Sequence, residues 1–255
     1  MRQLPLRART FVAATIVAGT GLFVLLAPHI RFDRPVLFGA LLLLSSISAA
    51  MKVSLPLTSS GSTMSVSYAV DFASLLLLGP DETMIVAASS AFSQCHLNTK
   101  ERNPLHRTLF SMSSLVLTVQ AAGLAFSLAG GHPAAGSLGI ALARPLFAAA
   151  TVYFVLNTGL VATAIALATR QSVFTTWNNN FLWSAPSYFV GALTAAVATW
   201  AVANAGYWLP LTFAPIYLTY KTYKVYMGRI EDQQRHVQQK NENKDGREHQ
   251  CWVRA

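Results

Sequence analysis

The sequence predicts an all-α protein: an integral membrane bundle of about eight transmembrane helices with a cytoplasmic exit helix. Three observations predict it. Of 255 residues, 53% are hydrophobic and only 11% charged, whereas soluble domains carry about 25% charged residues. That deficit leaves too little charge to cover a water-facing surface. The apolar residues fall into runs near the roughly 20 residues that cross a bilayer. The charges sit between those runs: residues 36–80 hold just Lys52 and Asp71, and half of the acidic residues lie between Glu231 and Glu248.

The first run, Phe11–Ala27, follows Arg2, Arg7 and Arg9 and ends in Pro28-His29. It has the flanks of a signal peptide but no small-x-small cleavage site, so it is expected to stay as a first span. Further spans are expected at Val36–Met51, Met64–Gly79, Thr83–Cys95, Leu109–Ala129, Pro145–Thr169, Leu182–Ala205 and Trp208–Tyr226. Only Pro80-Asp81-Glu82 separates the third from the fourth, which predicts a tight antiparallel hairpin. Val53–Thr63 is rich in Ser, Pro and Gly and reads as extended or re-entrant.

Eight spans put both termini on one side. Loops on that side carry Lys52, then Lys100, Arg102 and Arg107, then Arg170, then Lys221 and Lys224. The opposite loops carry Arg31, Asp33, Arg34, Asp81, Glu82 and Arg144, whose charges cancel. The positive-inside rule then places both termini in the cytoplasm of an inner-membrane protein. Trp177, Trp183 and Trp208 fall near span ends, where interfacial aromatics belong. The net charge of +9 is explained by this asymmetry, and no nucleic-acid partner is expected.

Beyond the last span, Ile216, Tyr220, Tyr223, Met227, Ile230 and Val237 recur at steps of four and three, with Gln234 filling one position. This is an a/d heptad seam. It predicts a parallel homodimer through an exit helix over 216–237; the alternative is an amphipathic helix on the membrane, with Lys221, Lys224 and Arg229 on anionic lipid. The organisation expected is thus a bundle over 1–215, the exit helix, and a disordered polar tail over 238–255.

Asp71 is the residue that invites a functional reading. A charge at the bilayer centre costs about 2.5–3.5 kcal/mol on insertion scales and so faces a partner or a cavity. Ser67, Tyr68 and Ser74 share its helical face. Gln120 in the fifth span and Tyr153, Asn157 and Thr158 in the sixth are polar residues that could meet it. The candidate ligand-binding set is therefore Asp71, Tyr68, Ser67, Gln120 and Asn157. The alternative is a structural acid, hydrogen-bonded between helices. Cys95 and Cys251 lie far apart, and His96 and His106 lack further ligands, so neither a metal nor any other cofactor is expected. The chain carries none of the phosphate-cradling, zinc-protease or nucleophile-elbow motifs, and no enzyme is expected.

Three stretches resemble bacterial membrane-associated sensor domains: Ser65–Phe72 running into Leu75–Pro80, Tyr153–Thr158, and the exit stretch Tyr217–Glu231 continuing to His236-Val237. In that group the exit helix leads into an HD-GYP phosphodiesterase or a GGDEF cyclase of cyclic-di-GMP turnover. The resemblance implies a sensor acting on such an effector. No His-Asp metal pair or GGDEF string follows Val237, so the expectation is the sensor half alone, truncated before its effector or paired with a separate one. The competing reading is a substrate-binding subunit of a membrane transporter. Asp71 motivates it, but no internal repeat supports it, and it leaves the heptad seam without a purpose.

Overall fold

A computed structural model describes residues 5–50, 53–54, 63–64, 67–97, 104–132 and 140–205. The described residues up to 50 and from 67 to 205 form a helical bundle; residues 53–54 and 63–64 belong to a separate unit and form a short pair of strands. The apolar runs become α1 (Leu6–Leu26), α2 (Pro35–Ala50), α3 (Ser67–Leu77), α4 (Pro80–His96), α5 (Leu105–Leu128), α6 (Ile140–Thr169) and α8 (Ala185–Ala205). The expected span Trp208–Tyr226, the exit helix 216–237 with its seam, and the tail 238–255 lie outside the described residues. Two-residue strands, β1 (Val53–Ser54) and β2 (Thr63–Met64), pair antiparallel with Val53 opposite Met64. The ends of the Ser/Pro/Gly-rich segment are therefore extended.

Two helices differ most from expectation. The third has eleven residues rather than the expected Met64–Gly79, which is about 16 Å at 1.5 Å per residue. That is near half of the roughly 30 Å hydrocarbon thickness. Every residue from Ser67 to Leu77 is buried, so protein takes the place of lipid around α3. The second difference is α7 (Val173–Asn180), a short helix in what reads as linker. Among the described residues, four segments are long and apolar enough to span a membrane: Leu6–His29, Leu105–Leu128, Ala141–Thr169 and Leu182–Val202. The others expected to span among the described residues, α2, α3 and α4, are shorter.

The α3–α4 hairpin is as tight as Pro80-Asp81-Glu82 implies. Gly79 turns the chain at φ 101°, a conformation open to glycine and costly with a Cβ. Pro80 then opens α4, where its missing N–H loses nothing. Asp81 and Glu82 occupy the first turn, where the helix dipole favours negative charge.

Small residues bring helices together where apolar attraction cannot, because lipid is as apolar as leucine. A Cβ on Gly19 of α1 would sit 2.5 Å from Ser113 Cβ and 2.7 Å from its Cα, so α1 and α5 touch backbone to backbone. Several hydroxyls satisfy themselves within their own helix. Thr15 donates to Phe11 O (3.0 Å), Ser48 to Leu44 O (2.6 Å), Thr118 to Ser114 O (2.8 Å) and Thr199 to Ala195 O (2.8 Å). This is how polar residues are carried on helices without water.

Candidate functional site

α3 lies among α2, α4, α5 and α8, and its Asp71 carboxyl is only 1% exposed. The acid is fully partnered. Ser45 of α2 donates to Asp71 Oδ1 at 3.2 Å. Tyr153 of α6 donates to Asp71 Oδ2 at 2.7 Å, the length of a strong hydroxyl–carboxyl bond. Among the described residues no cation pairs with the acid. Three helices far apart in sequence are thus pinned at one carboxyl group.

Aromatic rings close around that point. Phe72, next to Asp71, packs on Tyr153 with centroids 4.8 Å apart. Tyr68, nearly one turn earlier, stacks on Tyr188 of α8 at 4.6 Å and 27°. Tyr188 also packs on Tyr153 (5.9 Å) and Phe154 (5.3 Å). Its phenolic oxygen accepts a bond from Asn157 Nδ2 at 3.0 Å. Gly191 makes room for this stack, since a Cβ there would lie 2.4 Å from Tyr68 Cε2.

Of the residues expected together, the structure gathers Asp71, Tyr68 and, through Tyr188, Asn157. Ser67 is buried at the start of α3. Gln120 goes elsewhere: its Nε2 donates to Pro80 O (3.2 Å) and Asp81 Oδ1 (3.1 Å), with Met84 Sδ at 3.6 Å. It staples α5 to the α3–α4 turn. The expectation that Gln120 meets Asp71 is therefore corrected: its amide is taken up by the Pro80 carbonyl and the Asp81 carboxylate at the α3–α4 turn. Two members were missed. Ser45 carries the only local signal, a Ser45-Ser46 pair in a leucine-rich run; Tyr188 hides in an apolar stretch.

A second polar link leads out of the cluster. Thr158 donates to Phe154 O (2.6 Å) and accepts from Trp177 Nε1 of α7 (2.9 Å). The Trp177 ring lies 5.8 Å from Phe154. A continuous chain of contacts therefore runs from Trp177 through Phe154, Tyr188 and Tyr153 to Asp71.

Chemically, this arrangement holds an acid between two hydroxyl donors, away from solvent. No group of three or more metal-ligating side chains occurs among the described residues. The family model MASE9 matches residues 22–224, from α1 to beyond α8. The chain belongs to the MASE9 family. MASE domains are membrane-associated sensor domains, a non-catalytic class, so the Asp71 cluster lies within the MASE9 sensor region. No curated protein and no solved structure matches the chain.

Proposed function

We propose that this MASE9 chain is a sensory module of the bacterial inner membrane that couples a membrane or periplasmic cue to cyclic-di-GMP signalling in the cytoplasm. The observation that carries the reading is the junction at Asp71. A cue that displaces α2, α3 or α6 must change at least one of its two hydrogen bonds, so a small movement in one helix is felt by the others. Coupling of this kind needs an element with two discrete arrangements, and in this reading the Asp71 carboxyl, with its bonds to Ser45 and Tyr153 made or broken, is that element.

In this reading the bundle crosses the membrane eight times, with Trp208–Tyr226 as the last span. The Lys- and Arg-rich loops and both termini are cytoplasmic. The seam Ile216, Tyr220, Tyr223, Met227, Ile230 and Val237 pairs two copies and passes movement to an HD-GYP or GGDEF effector. The charge asymmetry and the heptad spacing support this. Replacing Tyr223 and Ile230 together by Lys is expected to abolish crosslinking of the exit helices; unaltered crosslinking would remove the seam from the scheme.

The deciding experiment fuses residues 1–237 to a cyclase and follows cyclic-di-GMP in cells under varied membrane and periplasmic conditions. Asp71→Asn is expected to insert normally and to alter the response. A response identical to the parent's would sink the role of the acid and turn the reading toward a substrate-binding transport subunit.

A further inference from the structure

For a cue carried by the membrane itself, α7 offers a point of entry. This helix joins two membrane-spanning segments, α6 and Leu182–Val202. α6 has 30 residues, about 45 Å at 1.5 Å per residue, against a hydrocarbon core of roughly 30 Å. The helix is thus long enough for its last turns to reach the headgroup zone, and α7 packs along α6.

The faces of α7 fit that position. Thr176 is buried, and Trp177 and Asn180 are partly buried. Helical periodicity sets Phe174 on one flank of this stripe and Thr175 and Asn179 on the other. Phe174 is 71% exposed, and Thr175 and Asn179 are exposed as well. Trp177 lies toward the Phe174 flank and reaches Thr158, well inside the end of α6 at Thr169. Asn178, one turn after Phe174, shares its flank and is exposed; the Phe174 flank is the one turned toward the middle of α6, and the Thr175/Asn179 flank the one turned away. Leu182 and Trp183, just past α7, are exposed too. Arg170, at the turn into α7, is exposed and suits an anionic headgroup.

We infer that α7 is an interfacial helix docked on the lipid surface, with Phe174 among the acyl chains, and that Trp177 carries its displacement to the Asp71 cluster. The partner is the bilayer itself, at the boundary of headgroups and acyl chains. The route is the contact chain from Trp177 through Thr158 and Phe154 to Tyr188. The inference deepens the sensory reading and rests on it for its biological meaning, but its tests do not pass through signalling output.

The full chain, with Cys95→Ala and Cys251→Ser, is reconstituted in phosphatidylethanolamine–phosphatidylglycerol vesicles and spin-labelled at Phe174→Cys or Asn179→Cys. The label at 174 is expected to collide preferentially with oxygen, which concentrates in lipid, and the label at 179 with a water-soluble nickel chelate. Nickel preference at 174 would mean a water-facing or soluble-partner surface, and shielding from both reagents would mean cover by this chain or a second copy. Either result overturns the lipid contact. For the coupling, 3-fluorotyrosine is incorporated and the Tyr188 fluorine resonance is assigned with Tyr188→Phe. It is expected to shift between short-chain and long-chain lipid, and to stop shifting in Trp177→Phe, which keeps a ring but loses the bond to Thr158. No shift in the parent, or a shift that survives Trp177→Phe, overturns the route. A fusion without response would defeat the sensory reading and leave these spectroscopic results standing.

Discussion

Tyr153 donates its phenolic hydrogen to Asp71 Oδ2 at 2.7 Å, across 82 residues of chain. Tyr153→Phe removes the donor and keeps the ring on Phe72. One buried carboxyl oxygen is then unpaired, at a cost of about 1–3 kcal/mol. Interhelical hydrogen bonds in membranes average only about 0.6 kcal/mol. The complete burial of Asp71 and the weaker 3.2 Å bond from Ser45 argue for the larger figure. Unfolding in mixed detergent–lipid micelles is expected to show the loss, and it should shrink when Asp71→Asn is already present. A loss unchanged by Asp71→Asn would mean that the two residues are not coupled.

Gly19 and Gly21 lie on the same helix but have opposite surroundings. A methyl group on Gly19 would meet Ser113 backbone and Cβ inside 3 Å, whereas one on Gly21 meets nothing within 4 Å. Gly19→Ala is expected to destabilise by about 1–3 kcal/mol, the usual range for overpacking, and Gly21→Ala to change little. Melting temperatures of the two purified variants measure the difference directly. Equal melting would show that α1 does not approach α5 this closely.

Gln120→Leu strips the Pro80 carbonyl and Asp81 of their interhelical partner. The expected cost is about 0.6–1.7 kcal/mol, the measured range for polar contacts between membrane helices. Hydrogen exchange at the amides after Gly79 should rise in this variant while exchange near Asp71 stays as in the parent. Equal increases at both places would contradict the separation of the two polar sites.

Glu82 lies in the turn outside the spans. Partial burial pushes its carboxyl above the ordinary value, and Asp81 and Asp33 push it the same way; the Arg31 backbone and its own backbone oppose the rise. The folded state therefore binds its proton more tightly than the unfolded chain does. Its contribution to stability is complete below the unfolded value and fades as pH rises through the folded one. Glu82→Gln is expected to match the parent at low pH and to be relatively more stable above that window. Parallel pH–stability curves for parent and variant would refute the shift.

The parts of the fold legible in the sequence were those set by local physics. Long apolar runs gave α1, α5, α6 and α8, with their starts three to five residues off, because lipid requires each spanning segment to satisfy its own backbone. The α3–α4 turn was legible from Pro80-Asp81-Glu82. α7 was missed because Thr175, Thr176 and the asparagines 178–180 read as loop; the signal was Phe174 and Trp177 three residues apart after Ser172. At the site, an acid in an apolar run announced that Asp71 needs partners. Which partners it takes depends on how α2 and α6 pack on α3, and no pattern within one helix contains that. Gln120 shows the limit well, since its amide bonds a different partner, 40 residues away at Pro80.

The enclosure of α3 on every side also bears on biogenesis. Eleven residues with a carboxyl in their midst make a poor candidate for release into lipid alone. During synthesis Ser45 of α2 is already present, but Tyr153 and the α8 wall emerge only much later in the chain. The nascent helix must therefore linger beside the insertion machinery, or rest shallowly in the membrane, until its late neighbours arrive. Translation speed and chaperoning at that stage should govern the yield of the protein more than the hydrophobicity of its long spans.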